Sequence, residues 1–140
     1  MEITKMRESN LTRLRELYLD VRQGAFSWLN TENYLLSDFE RDTKGESIYV
    51  AMEGEEILGF ISIWDADNFI HHLYVSLSAQ SQNVGSKLVG FAISLNPKSL
   101  KLKCMVKNES AIRFYEKNGF VKESKVMDSE GGYYLLCFGG

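Results

Sequence analysis

The chain has 140 residues, enough for one hydrophobic core and too short for two. Its 44% hydrophobic and 25% charged residues are typical of a globular protein and exclude a disordered or fibrous one. The 16 basic and 19 acidic residues are spread along the chain without a basic block, so no nucleic-acid partner is expected.

The first part of the chain predicts a strand and two helices. Residues 1–7 form a short strand, and Ser9 or Asn10 then caps an amphipathic helix. A second helix is expected from about residue 31 to residue 41. The connection between the two helices carries an apolar patch: Phe26, Trp28 and Leu29.

Three strand-like segments follow, rich in β-branched and aromatic residues. They cover residues 47–51, 57–64 and 69–77 and predict an antiparallel meander. Trp64, at the end of the second segment, is expected in the core. The charged residues around the first turn are typical of a solvated hairpin face: Lys44, Glu46, Glu53, Glu55 and Glu56.

The remaining chain predicts a helix, a strand, a second helix and a final hairpin. The first helix begins near Val84 and ends before Pro97, and the second ends at Gly119. The order βααβββαβαββ describes an α/β domain with a mixed sheet, one domain over residues 1–140. The exposed edge of the tail hairpin could support a dimer, so a monomer or a homodimer is expected.

Cys104 and Cys137 each lie inside a strand-like segment. Neither has a second Cys or a His at metal-ligand spacing, so we expect small buried thiols, no disulfide and no metal.

No feature of the sequence directs the chain to a membrane or to secretion. No apolar run approaches the roughly 20 residues that span a bilayer. Met1 leads into a mixed polar segment rather than an apolar secretory region. We therefore expect a cytoplasmic protein without a membrane partner.

The junction before the predicted helix at Val84 has the geometry of a phosphate cradle. Free backbone N–H groups and the positive end of the dipole meet at a helix N-terminus. Gly85 allows close approach of the backbone, and Asn83 tolerates positive φ. The polar side chains of the junction are Gln80, Ser81, Gln82 and Ser86. An ordinary polar strand-to-helix turn is the alternative interpretation of this local pattern.

A second segment, residues 108–120, predicts a short helix that Asn108 or Ser110 caps and Gly119 ends. Residues that begin and end a helix, together with a core Phe114, explain most of this pattern. They do not explain the phenol at Tyr115, which is expected on a different face from Phe114.

Both segments resemble the coenzyme A motifs of the GNAT acetyltransferase superfamily, in order and spacing. The family pattern Gln/Arg-x-x-Gly-x-Gly/Ala is similar to Gln80-Ser81-Gln82-Asn83-Val84-Gly85, which follows a family-like Leu73-Tyr74-Val75. The pattern Asn-x-x-Ala-x-x-Phe-Tyr-x-x-x-Gly-Phe is matched from Asn108 to Phe120. The resemblance covers nearly the whole chain and implies this family's fold.

The chain departs from the family at three positions. Asn83 stands where the family usually has glycine. The glutamate that some members place on the fourth strand falls on Phe69, and the glutamate that others place on the fifth strand falls on Lys103. Neither familiar base is therefore present.

The resemblance implies transfer of an acetyl group from acetyl-CoA to an amine, with Tyr115 as the general acid and acetyl-CoA held at the two motifs, including Asn108. A backbone N–H near residues 73–75 would polarise the acetyl carbonyl. For the base, His71 and His72 are the two histidines of the chain, and strand alternation predicts that they point in opposite directions.

The acceptor, a small molecule or a peptide with an amine, is left open by the sequence. Phe26, Trp28 and Leu29 resemble one wall of the family's acceptor pocket, or they form an apolar plug on the sheet. A non-catalytic acyl-CoA-binding sensor is the alternative function. An unrelated nucleotide-binding domain is disfavoured because a Walker loop and a complete Gly-x-Gly-x-x-Gly pattern are missing.

Overall fold

A computed structural model describes residues 1–25, 34–80 and 82–139 of the chain. Within these ranges the strands and helices follow the order βααβββαβαββ that the sequence predicts. Their bounds are β1 Glu2–Lys5, α1 Leu11–Ala25, α2 Asp38–Thr43, β2 Ser47–Glu53, β3 Glu56–Trp64, β4 Phe69–Val75, α3 Val84–Leu95, β5 Leu100–Met105, α4 Glu109–Lys117, β6 Val121–Val126 and β7 Tyr133–Phe138.

The strands form one mixed sheet in the order β1-β2-β3-β4-β5-β7-β6. The neighbouring pairs are antiparallel except β4 and β5, which are parallel. The β4–β5 ladder pairs only Phe69 with Lys101 and Ile70 with Leu102. Beyond Ile70 these two strands have no ladder between them, and a cleft opens at their carboxyl ends.

Helices cover both faces of this sheet. Successive residues of β3 point to opposite faces, so neighbouring side chains enter different cores. Phe60 packs in a core with Tyr18 of α1 and Phe39 of α2. Ile61 packs in a second core with Leu88 of α3. All five of these side chains are 3% exposed or less. The α/β class and the mixed sheet are therefore confirmed.

Two local expectations were wrong. Among the described residues the second helix begins at Asp38, after a turn at residues 36–37 that falls inside the predicted helix. Asp38 Oδ2 accepts a hydrogen bond from the Leu35 N–H at 2.9 Å across this turn. Trp64 is 41% exposed rather than in the core. Its ring lies against Gly45, which has positive φ and no side chain to displace it.

Candidate active site

A cavity of about 580 Å³ lies between β4 and β5 where the two strands separate. Its wall comes from β4, the segment before α3, the start of α3, β5 and α4. The expected site residues that line it are His71, Leu73, Tyr74, Val75, Gln80, Asn83, Gly85, Ser86, Asn108 and Tyr115. Two segments far apart in the sequence therefore meet in one cleft.

The segment before α3 has the backbone that the sequence predicts. Asn83 lies in the left-handed region, with φ 60 and ψ 22, immediately before the first residue of α3. Asparagine is one of the few residues other than glycine that adopt this conformation readily. Gln80 fastens the segment to β4, since its Nε2 donates to the Val75 carbonyl at 3.3 Å.

Two residues expected at the coenzyme do not line the cavity. Val84 is 1% exposed because its side chain packs in the core beneath α3, so only its backbone remains available to a ligand. Gln82 is exposed outside the cavity wall. Ser81 lies outside the described residues.

Gly85 has a packing role that the sequence did not reveal. A Cβ at this position would lie 3.2 Å from Phe114 Cζ and 3.7 Å from Val75 Cγ2. The distance to Phe114 is shorter than a normal carbon–carbon contact, so the ring of Phe114 occupies the space that a side chain would need. The glycine thus lets α3 and α4 approach each other at the cleft.

The beginning of α4 is capped as predicted. Asn108 Oδ1 accepts a hydrogen bond from the Ala111 N–H at 3.4 Å, and Gly119 follows the helix with φ +98. Phe114 and Tyr115 both line the cavity, with ring centroids 5.1 Å apart. The two rings are inclined at 72° to each other, so both reach the cleft although they are one helical step apart.

Tyr115 is held among other apolar and aromatic groups. Its ring meets the edge of Phe120 at a centroid distance of 5.7 Å. Burial raises the pKa of its phenol above the ordinary value, and Cys104 and Tyr74 add to the shift. No described residue accepts a hydrogen bond from its hydroxyl. The phenol is thus kept neutral in the wall of the cleft.

A β-bulge changes the direction of the two histidines. Across the β3–β4 ladder Ser62 pairs with His72 and Ile63 pairs with Ile70, which leaves His71 as an extra residue. The prediction that the histidines point in opposite directions was wrong, because a bulge interrupts strand alternation. The two imidazole centroids lie 5.0 Å apart, and both rings line the cavity.

Glu46 joins these histidines, although the sequence placed it on a solvated face. Its Oε2 contacts His71 Nδ1, and its Oε1 lies 4.0 Å from His72 Nε2. Only 2% of the Glu46 side chain is exposed, and Oε1 has no hydrogen-bond partner among the described residues. It meets the residue that the bulge leaves unpaired, and no local sequence pattern predicts this contact.

His72 is fixed from the other side by α2 and α1. Its Nε2 lies 3.2 Å from the Asp42 carbonyl, and Asp42 Oδ2 accepts the Tyr18 hydroxyl at 2.7 Å. Burial lowers the pKa of His72 below the ordinary value. The Tyr74 ring stacks on His72 at 6.1 Å, and burial raises the pKa of Tyr74 to about 12.

A second cavity of about 590 Å³ adjoins the first, and the two share His71 and Lys103. Its other lining residues are Arg41, Asp42, Lys44, Glu46, Trp64, Asp67 and Phe69. The expected acceptor residues Phe26, Trp28 and Leu29 lie outside the described residues. Within the described chain the structure supplies a mixed aromatic and charged surface at this end of the cleft.

Among the described helices, none combines the length and the apolar character needed to cross a membrane.

The sequence matches the model of the acetyltransferase (GNAT) family over residues 11–120. Among curated proteins, no sequence matches the chain. PaiA N-acetyltransferase from Thermoplasma acidophilum, solved in complex with coenzyme A, is 17% identical with a TM-score of 0.79. That alignment covers 99% of this chain and 98% of PaiA.

Two further solved structures share the fold. An N-acetyltransferase from Staphylococcus aureus is 15% identical with a TM-score of 0.76, over 98% of this chain and 100% of that one. The apo form of YjaB from Escherichia coli is 22% identical with a TM-score of 0.73, over 97% of this chain and 94% of that one. At these identities the three structures establish the likeness of fold.

Proposed function

Because the chain belongs to the acetyltransferase (GNAT) family, we propose that it transfers an acetyl group from acetyl-CoA to a primary amine. The acceptor is a small molecule or a protein N-terminus, and the amine attacks the thioester directly, in the cytoplasm. The observation that carries this proposal is the single cleft lined by Asn83 and Gly85 of one motif and by Asn108 and Tyr115 of the other.

The coenzyme is proposed to lie along the cleft with its pyrophosphate at the start of α3. A helix of this length presents several unpaired N–H groups and a partial positive charge at its first turn. The left-handed conformation of Asn83 directs the backbone into the first turn of α3. Ser86, in this turn, lines the wall of the cleft. The thioester end then reaches β4 at residues 73–75, where a backbone N–H can polarise the acetyl carbonyl.

Tyr115 is proposed as the general acid. The departing coenzyme A thiolate needs a proton, and a phenol that is neutral at physiological pH can supply it. Burial keeps the pKa of Tyr115 high, so the phenol holds its proton until a strong base forms beside it. Its hydroxyl donates to no described residue, which leaves it available to sulfur.

His71 is proposed as the base that receives the proton of the amine. An alkylamine with a pKa of about 10.4 is mostly protonated at neutral pH and must lose a proton to attack. The contact between His71 Nδ1 and Glu46 fixes one ring nitrogen and leaves Nε2 available. Since Phe69 and Lys103 replace the family's strand glutamates, we propose that Glu46 supplies the carboxylate from the residue that precedes β2.

The test is an acetyl-CoA consumption screen against a panel of amines, with mass spectrometry of the products. The panel contains polyamines, amino acids, amine antibiotics and peptides with free N-termini. An N-acetylated product formed only with enzyme supports the proposal. Tight acetyl-CoA binding without any product across the panel favours the non-catalytic sensor instead.

A further inference from the structure

The cluster of Glu46, His71 and His72 has a composition that amine deprotonation alone does not require. One base with one orienting carboxylate would serve that reaction, whereas here a second imidazole is brought to the same carboxylate. One ligand atom from each residue lies within 4.8 Å of the other two. Two nitrogen donors and one carboxylate oxygen are a common ligand set for divalent transition metals.

The separations suit one shared ion after small side-chain rotations. Bonds of about 2.1 Å from one metal allow two ligand atoms to lie at most about 4.2 Å apart. Glu46 Oε1 and His72 Nε2 are 4.0 Å apart, within that limit. On binding, Nε2 gives up its proton and with it the 3.2 Å hydrogen bond to the Asp42 carbonyl. The contact between His71 Nδ1 and Glu46 Oε2 is closer than two ligands of one ion, so it must lengthen on binding.

An unsatisfied carboxylate oxygen points independently to a cation-binding role. Glu46 Oε1 is buried and has no hydrogen-bond partner among the described residues. Burying a carboxylate oxygen without a partner is costly, and such groups are usually paired or coordinate metals. The bulge at His71 adds to this argument, because bulges often re-aim a side chain beside a functional site.

The cluster is also accessible from solution. The His71 side chain is 51% exposed, and both His71 and Glu46 line the second cavity. An ion could enter there and keep positions open for water. Not every nearby charge favours a cation: Asp42 and Asp67 line this cavity, but so do Arg41, Lys44 and Lys103.

From this geometry we propose that Glu46, His71 and His72 bind one divalent transition-metal ion, Zn²⁺ in the first place. The ion takes the nitrogen lone pairs of the two histidines, so its binding and proton acceptance by His71 exclude each other. The expectation of no metal was drawn from cysteine spacing, which does not reveal a carboxylate 25 residues away from His71.

The experiment uses the full chain without an affinity tag. Its two histidines are the pair in question, so imidazole coordination can be assigned without ambiguity. Zn²⁺ affinity is measured by competition with a chromophoric chelator, and Co²⁺ by the appearance of visible ligand-field bands. The histidine ring protons, observed by NMR, should both shift when one equivalent of Zn²⁺ is added.

Four variants separate the proposed site from other metal binding. His71→Ala and Glu46→Gln should each lower the affinity for Zn²⁺ at least tenfold, because each removes a ligand. Lys103→Met should raise the Zn²⁺ affinity, because the substitution removes a nearby positive charge. Cys137→Ser should leave it unchanged, since this thiol lies 2.6 Å from Glu123 on the tail hairpin and is not part of the cluster.

His71 is half exposed, so His71→Ala should fold even if Glu46→Gln does not; a thermal melt of each variant checks this. One equivalent of Zn²⁺ that is lost in His71→Ala and kept in Cys137→Ser supports the site. The proposal is overturned if wild-type protein fails to compete with the chelator, or if His71→Ala binds as tightly as wild type. Because binding is read without turnover, failure here leaves the transferase proposal unaffected.

Discussion

The coenzyme side of the cleft is built largely from backbone, whereas the opposite side is built from carboxylate, imidazole and guanidinium side chains, most of them buried. Around Asn83 and Gly85 the important features are a left-handed residue, a helix start and a missing Cβ. Around Glu46 and the histidines they are a carboxylate, two imidazoles and the ion pairs of α2. The first kind of site tolerates changes in sequence that keep the backbone path, and the second does not.

The difference also separates binding from chemistry. A cradle of backbone N–H groups recognises the diphosphate of the coenzyme whatever acyl chain or acceptor is present. In the proposed function, the arrangement of charged side chains selects the acceptor and moves its proton. Variants on the two sides should therefore fail in different assays.

The largest effect is expected at the junction of the two sides. Tyr115→Phe keeps the ring, so its packing against Phe114 and Phe120 should persist. Loss of a general acid should lower turnover by about 10²–10⁴-fold, with little change in acetyl-CoA affinity. Steady-state kinetics with an identified acceptor and calorimetry of acetyl-CoA binding measure the two quantities.

Near-wild-type turnover in a regime limited by chemistry would show that Tyr115 is not the acid. If only affinity falls, Tyr115 is a coenzyme contact and water protonates the thiolate.

The second prediction concerns the stability of the side opposite the coenzyme. Asp38 is 3% exposed and pairs with the buried Arg22 at 3.2 Å. Asp38→Ala would leave that guanidinium short of a partner, and breaking a buried ion pair costs about 3–5 kcal/mol. Chemical denaturation should show the free energy of unfolding reduced by that amount.

The matched control lies on the same helix. Glu40 pairs with Arg15 at 2.6 Å, but both side chains are substantially exposed. An exposed pair contributes about 0–1 kcal/mol, so Glu40→Ala should be nearly neutral. Equal losses in the two variants would contradict the view that burial distinguishes this side of the cleft.

On the coenzyme side the third prediction concerns ligand-dependent stability. Acetyl-CoA at about 1,000 times its Kd should stabilise the wild-type protein by about 4.1 kcal/mol. Gly85→Val should abolish this gain, because the new side chain meets Phe114 and moves the start of α3. Gly90→Val is the control: it lies on the same helix, and a Cβ there meets nothing within 4 Å.

Melting temperatures with and without acetyl-CoA provide the measurement. If Gly85→Val retains the full ligand shift while Gly90→Val loses it, the cradle has been assigned to the wrong turn of α3. ATP and NAD should produce no comparable shift in any of the three proteins.

The two sides of the cleft also differ in how far the sequence could predict them. The order of elements, the left-handed Asn83 and the Asn108 cap follow from short-range rules of helix and turn chemistry, and these predictions were confirmed. The buried Glu46 meets His71, the extra residue of a bulge in β4, and the two are far apart in the chain. Local pattern places Glu46 on a charged hairpin face, and only the tertiary arrangement shows otherwise.

Cys104 offers the last prediction, because it lines the cleft without taking part in the proposed chemistry. Burial raises the pKa of its thiol to about 11. A rise of about two pKa units from the ordinary value lowers the thiolate population at pH 8 roughly a hundredfold, and the thiolate is the species that reacts. In a Cys137→Ser background, alkylation by iodoacetamide at pH 8 should therefore be about a hundredfold slower than for a free thiol. The rate should rise about tenfold per pH unit as long as the fold persists, and acetyl-CoA should slow it further by covering the cleft. Labelling as fast as that of glutathione would mean that Cys104 is more open, or more activated, than its place beside Tyr115 allows.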